Sequence, residues 1–259
     1  VIYAKKLLDL LSEFRPQHFF CVSTDKAANP VNIMGASKKL MEDMIMSYSH
    51  KIPVTTARFA NVAFSNGSLL FGFIERMFKR QPLSSPTDVK RYFVSPEESG
   101  QICLLACILG NTGEIFFPKL DREKHMLTFS KITNSFLAEL GLEPMYCSSE
   151  EKAREIARTR EESDDDYPVF FFESDTTGEK AFEEFFTQDE VVDFDRFQGL
   201  GIVTKRETYD GIHIDEILND LTNLFDNPTY SKSEVVRILK AYLHNFDHQE
   251  KGKYLDQKM

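Results

Sequence analysis

Ser23-Thr24-Asp25-Lys26-Ala27-Ala28-Asn29-Pro30, followed by Met34-Gly35-Ala36-Ser37-Lys38, is the stretch on which the reading of this chain turns. Before it runs a short apolar segment, 17–23, with His-Phe-Phe-Cys-Val at its centre. An uninterrupted apolar run of that length suits a strand buried on both faces of a parallel sheet. After it, Leu40, Met41, Met44, Ile45 and Tyr48 recur at helical spacing, which predicts a helix over 35–49 packed on that sheet. The loop between them therefore lies beyond the carboxyl end of a strand, where open α/β sheets bind their ligands. It brings a hydroxyl, an acid and two amines (Thr24, Asp25, Lys26, Lys38) within sixteen residues. Met34 and Lys38, four apart, share one helical face.

Working outward, residues 53–59 predict the next strand and 68–79 the next helix, giving the right-handed strand-helix-strand unit of a doubly wound fold. Toward the N-terminus, 2–14 reads as an amphipathic helix ending near Arg15-Pro16. Beyond, Ser95-Pro96-Glu97-Glu98 opens a helix with acids in its first turn; 114–118 predicts a strand and 128–140 a helix closed by Gly141. Residues 148–166 are charge-dense and read as an exposed helix and loop. A strand is expected over 169–172, a short helix over 178–186, and two amphipathic helices over 214–225 and 231–246. The texture divides the chain at about residue 186, with 187–259 expected as a helical extension.

Composition limits the function. The chain has 259 residues, 42% hydrophobic and 28% charged, with a net charge of -10 and a pI near 5.2. That acidity argues against a phosphate-backbone binder, so no nucleic-acid partner is expected. No apolar run approaches the roughly 18–20 residues needed to span a bilayer, and Val1-Ile2-Tyr3-Ala4-Lys5-Lys6 is no signal peptide. No membrane contact is expected of this chain, and its expected location is the cytoplasm. Cys103 and Cys107 read as core residues of an apolar helix, and His244-x-x-x-His248 lacks an acidic companion at fixed spacing, so no metal is expected.

The motifs Ser-Thr-Asp-Lys-Ala-x-Asn-Pro and Met-Gly-Ala-Ser-Lys carry a resemblance, together with Ala57-Arg58-Phe59-Ala60-Asn61-Val62, Ser65-Asn66-Gly67-Ser68, Arg91-Tyr92-Phe93 and Gly178-Glu179-Lys180. Over roughly residues 1–186 the chain resembles nucleotide-sugar 4,6-dehydratases of the extended short-chain dehydrogenase/reductase superfamily, above all those acting on UDP-N-acetylglucosamine. The resemblance implies a Rossmann-like doubly wound parallel sheet and a redox cycle with no net oxidation, run on bound NAD, or on NADP. It implies Asp25 as the acid protonating the departing carbon-6 hydroxyl and Lys26, as a neutral amine, as the base at carbon 5. Thr24 would bond near the carbon-4 hydroxyl, and Lys38 would hold the nicotinamide ribose. Ser23, Phe59 and Val62 would join Lys38 at the cofactor; Asn61, Ser68, Arg91 and Glu179 would hold the UDP-sugar. A homo-oligomer is expected by the same resemblance.

The chain departs from the pattern in three places. Met34 replaces the superfamily's usual tyrosine, as in one subgroup of the dehydratases, and leaves Asp25 and Thr24 as candidates to deprotonate the carbon-4 hydroxyl. Thr176-Thr177 replace an arginine-proline pair. The twelve glycines include no Gly-x-Gly-x-x-Gly run to receive a pyrophosphate. The first strands of the sheet are therefore expected to precede Val1, making 1–186 the C-terminal part of a dehydratase domain that binds NAD weakly alone. An epimerase of the same fold and a noncatalytic nucleotide-sugar-binding module are the rival readings.

Overall fold

The computed structural model describes residues 1–175, 180–205 and 211–248. The chain opens with helix α1 (Ile2–Glu13) and strand β1 (Phe19–Thr24), and a single 3₁₀ turn over Asp25–Ala27 leads to α2 (Ile33–Ser47). Strands β2 (Val54–Phe59) and β3 (Asn61–Val62), helix α3 (Leu69–Phe78) and strands β4 (Leu83–Pro86), β5 (Lys90–Arg91) and β6 (Phe93–Val94) follow. Next come α4 (Pro96–Leu109), β7 (Ile115–Pro118), α5 (Arg122–His125), β8 (Leu127–Thr128) and α6 (Phe129–Glu139). Then β9 (Glu143–Tyr146), α7 (Glu150–Thr159), β10 (Asp166–Phe172), β11 (Val191–Asp193), β12 (Leu200–Lys205), α8 (Gly211–Phe225) and α9 (Lys232–Tyr242) complete the order.

The principal sheet runs β1-β2-β7-β12-β11, with β1, β2 and β7 parallel and β12 antiparallel to both of its neighbours. All six residues of β2 are buried, the burial expected of a strand covered on both faces. Side-chain alternation sends Val54, Ile115 and Phe117 into one core with Leu40, Met44 and Ile45 of α2. It sends Ala57, Phe59 and Phe116 into another with Ile102 and Ala106 of α4. Helices thus cover both faces, the α/β doubly wound arrangement the spacing predicted. Burying each large aliphatic side chain of the α2 face contributes about 1.5–3 kcal/mol. A second, three-stranded parallel sheet, β4-β10-β9, has its own core around Phe73, Leu83, Ile132 and Val169.

Three expectations are corrected. Residues 187–259 are not purely a helical extension, because β12 and β11 extend the principal sheet while α8 and α9 pack on α2. Runs as short as Val191–Asp193 carry too little periodicity to stand out from a loop. Residues 180–186 form no helix; their backbone instead accepts side-chain bonds from the sheet. Finally, α9 ends at Tyr242, so His244 and His248 do not share a helical face. Among the described residues no group of acids, cysteines and histidines could hold a metal, and no helix is long and apolar enough to cross a membrane.

Candidate active site

β1 delivers Thr24 to the carboxyl edge of the sheet, and the 3₁₀ turn places Asp25 and Lys26 directly behind it. Asp25 is 1% exposed, and its Oδ1 accepts from Thr24 Oγ1 at 2.8 Å, the Lys26 backbone N–H at 2.9 Å and Lys26 Nζ at 3.0 Å. Three donors converge on one carboxylate oxygen, and bonds to a charged group are the strong ones. An acid and an amine in direct contact can exchange a proton, which a paired acid–base step requires.

Gly35 explains the fit of α2 to this turn. A Cβ there would stand 2.8 Å from the Lys26 carbonyl oxygen and 3.3 Å from Pro30. Asn32 caps the helix by accepting from the Gly35 N–H at 2.8 Å, so the first turn is pinned against Lys26. Gly35→Ala is expected to lower stability by about 1–3 kcal/mol through overpacking, despite alanine's better helix propensity. Denaturant unfolding measures this; an equal or higher stability would contradict the close approach.

Met34 and Lys38 lie one turn apart on α2, Met34 being 49% exposed. Among the described residues no hydrogen bond or ion pair holds the Lys38 amine. Its charge reaches Cys21 on β1, where burial pushes the thiol up and Lys38 opposes that push. Lys38 therefore flanks the strand that delivers Thr24.

Ser23, expected at the cofactor, lies at the root of a buried network. It is buried, and its Oγ donates to Glu42 Oε2 at 2.8 Å. Glu42 in turn accepts from Arg58 at 2.6 and 3.1 Å, and Arg58 donates to both oxygens of Glu190 at 2.7 Å and to the Phe185 carbonyl at 2.8 Å. This wholly buried arginine, its proton held more tightly still by the two carboxylates despite burial, ties β1, α2 and β2 to 185–190. Sequence reasoning assigned it no role. The available signal was an arginine inside the otherwise uncharged strand Val-Thr-Thr-Ala-Arg-Phe, which burial obliges to be paired.

Three of the other expected residues, Phe59, Asn61 and Val62, follow the same edge. Phe59 pairs in register with Thr24, and Asn61 and Val62 continue just beyond it. Phe59 is buried in the α4 core and Val62 packs on the α2 core. Asn61 donates to the Tyr92 carbonyl at 3.2 Å, and Ser68 caps α3 by accepting from the Phe71 N–H at 3.3 Å. Arg91 is buried and donates to the Lys180 carbonyl at 2.9 Å, which draws 180–186 toward the site. Glu179 lies outside the described residues. Glu183, which the sequence reading left without a role, is buried where Asp25, Lys26, Lys180 and Arg91 all act on its charge.

Among the described residues are two sizeable cavities. One, of about 500 Å³, is lined by Tyr92, Lys119, Arg122, Phe182 and Glu183 and so borders the cluster. The other, of about 760 Å³, lies between α3 and α6 with a nearly all-apolar lining, and none of the expected catalytic residues reaches it. Most of the charged lining belongs to the first.

A UDP-N-acetylglucosamine 4,6-dehydratase (inverting) of Campylobacter jejuni is 26% identical over 179 residues, 66% of this chain and 51% of that protein. A UDP-glucose 4-epimerase of Rickettsia rickettsii is 35% identical over 104 residues, 38% of this chain and 30% of its own length. A solved dTDP-glucose 4,6-dehydratase of Bacillus anthracis, in complex with NAD, is similar in fold with a TM-score of 0.52 at 13% identity, covering 95% of this chain and 68% of that one. The chain spans about half the length, or less, of the curated relatives it matches. Residues 1–204 match the family described as polysaccharide biosynthesis protein, and the chain belongs to that family.

Proposed function

We propose that this chain carries the acid–base centre of a nucleotide-sugar 4,6-dehydratase that acts on a UDP-N-acetyl-hexosamine, UDP-N-acetylglucosamine in the first place, for glycan synthesis. The observation that carries the reading is the buried Asp25 in contact with Lys26 Nζ at 3.0 Å and Thr24 Oγ1 at 2.8 Å. Elimination across carbons 5 and 6 needs an amine free to take the carbon-5 proton and an acid able to protonate the departing carbon-6 hydroxyl. Moving one proton from Lys26 Nζ to Asp25 Oδ1 produces both forms together. When Lys26 takes the carbon-5 proton and Asp25 releases its own to the leaving oxygen, the original pair returns and one water departs.

Lys38, whose amine has no partner among the described residues, fits the ribose next to a nicotinamide. Bound NAD would accept hydride from carbon 4 as the carbon-4 hydroxyl gives up its proton, and would return it to carbon 6 as carbon 5 takes a proton up. Phe59 and Val62 fit the same edge, whereas Ser23 is engaged by Glu42 and acts by fixing β1. For the UDP group, Asn61, Ser68 and Arg91 are the candidate polar groups, and an arginine suits a diphosphate.

The epimerase similarity favours a second reading, in which hydride returns to carbon 4 and no acid is needed at carbon 6. Incubating the full-length protein with NAD and UDP-N-acetylglucosamine separates the two by product mass. A 4-keto product lighter by one water supports dehydration; an isomer of unchanged mass supports epimerisation and would sink the roles given to Asp25 and Lys26.

A further inference from the structure

Beyond α9 the chain returns to the acid–base turn. Leu243 and Phe246 are buried in the same core as Leu40 and Met44 of α2, and the Phe246 N–H donates to the Leu243 carbonyl at 3.0 Å. These two anchors fix the backbone that carries Asn245. From there the Asn245 side-chain amide donates to the Ala28 carbonyl at 2.9 Å, and the Asp247 backbone N–H donates to the Pro30 carbonyl at 3.1 Å. The family match ends at residue 204, so both bonds come from outside the matched part of the chain.

What the bonds hold is the base of the turn. Ala28 is fully buried, and its N–H donates to the Asp25 carbonyl at 3.1 Å, which closes the turn carrying Asp25 and Lys26. A carbonyl at the end of a helical turn has no partner within it and, when buried, needs a donor from elsewhere. Asn245 is that donor. Between the two tethered carbonyls, Asn29 donates from its own side chain to Glu184 Oε2 at 2.9 Å. Three consecutive residues, 28–30, are thus held from outside their loop, two of them by 243–248. On the other side of the turn Gly35 stands hard against the Lys26 carbonyl, so a shift of the turn has little room to relax.

We propose that Asn245 is a positioning residue for the dehydration: through Ala28 it fixes the turn, and so keeps Asp25 and Lys26 aligned for their proton transfers. This rests on the dehydratase reading above. Asn245 bonds to neither of those side chains and acts through the backbone alone. A misplacement of catalytic groups by about 1 Å can cost about 100-fold in rate, so one tether at the base of the turn is enough to matter. Asn245 is itself exposed, and the apolar anchoring belongs to Leu243 and Phe246, so replacing it leaves the core intact.

The test uses the full-length protein with two variants. Asn245→Asp keeps the shape but puts an acceptor where the donor was; Asn245→Gln keeps the donor on a longer stem. Asn245→Asp is expected to lower kcat for UDP-N-acetylglucosamine dehydration about 10- to 100-fold with KM within about threefold, and Asn245→Gln to recover part of that loss. A kcat within about twofold of the parent for Asn245→Asp, or equal losses in both variants, would overturn the proposal. Amide hydrogen exchange reads the turn without turnover. In Asn245→Asp the Lys26 and Ala28 amides are expected to exchange about tenfold faster, the worth of one hydrogen bond, while those of β2 keep the parent's rates. Parent rates at Lys26 and Ala28 would overturn the proposal, and so would faster exchange throughout β2, the mark of lost stability rather than lost position. Faster exchange confined to the turn, in a protein that performs no dehydration, would sink the dehydratase reading and leave the tether standing.

Discussion

Asp25→Asn is expected to lower kcat for dehydration about 100- to 10,000-fold, the range typical of losing a positioned general acid. The substitution preserves shape, and an asparagine Oδ1 can still accept from Thr24 and from the Lys26 backbone N–H, the bonds that hold the turn. What it removes is the proton and the charge opposite Lys26 Nζ. Substrate binding does not depend on that proton, so KM is expected to stay within about threefold, the pattern of an interaction made in the transition state. Lys26→Ala is expected to be similarly slow. The double variant is expected to be little slower than either single one, because the two side chains pass protons as a unit. Steady-state kinetics decide the matter: a kcat within about tenfold of the parent for either single variant would remove the pair from the chemistry.

Arg58→Met is expected to lower the free energy of unfolding by about 3–5 kcal/mol, the usual consequence of stranding a buried charge partner. Arg58 is fully buried, Glu42 is buried against it, and Glu190 is nearly so. Methionine fills much of the space but leaves two carboxylates facing each other without a cation. Because Ser23 is bonded to Glu42, and Phe185 and Glu190 to Arg58, the loss also loosens β1 and the segment carrying Glu183. Replacing Arg58, Glu42 and Glu190 together with apolar residues is expected to be far milder than Arg58→Met alone, since no lone charge remains. Denaturant unfolding curves test this; a loss under about 1 kcal/mol for Arg58→Met would show that the network is not what fixes this edge.

The sequence made the site's core legible because its signals were local. A continuous apolar run, an Asp-Lys pair and a helical stripe led by Leu40 and Met44 place strand, turn and helix without knowledge of the rest. Gly35 could be read as part of a motif but not as a close approach, since only the fold brings the Lys26 carbonyl within 2.8 Å of its missing Cβ. The Arg58–Glu42–Glu190 network spans residues far apart in sequence, and in Glu42-Asp43 on α2 nothing local tells a buried acid from ordinary helix decoration. The sheet strands at 191–193 and 200–205 were hidden for the reason that β-structure is often hidden: their partners are non-local, and three to six residues carry little pattern. Glu183 stands three residues beyond Lys180 of the quoted Gly178-Glu179-Lys180, but its burial is a tertiary fact.

The central claim is that Asp25 and Lys26 perform an elimination across carbons 5 and 6. The most direct measurement runs the full-length protein with NAD and UDP-N-acetylglucosamine in deuterium oxide and locates label in the product by mass spectrometry and proton NMR. The account predicts a 4-keto product lacking one water, with solvent deuterium at carbon 5 and hydride from carbon 4 at carbon 6, formed about 100- to 10,000-fold more slowly with Lys26→Ala. A product of unchanged skeleton mass, with carbon 5 unlabelled, would contradict it.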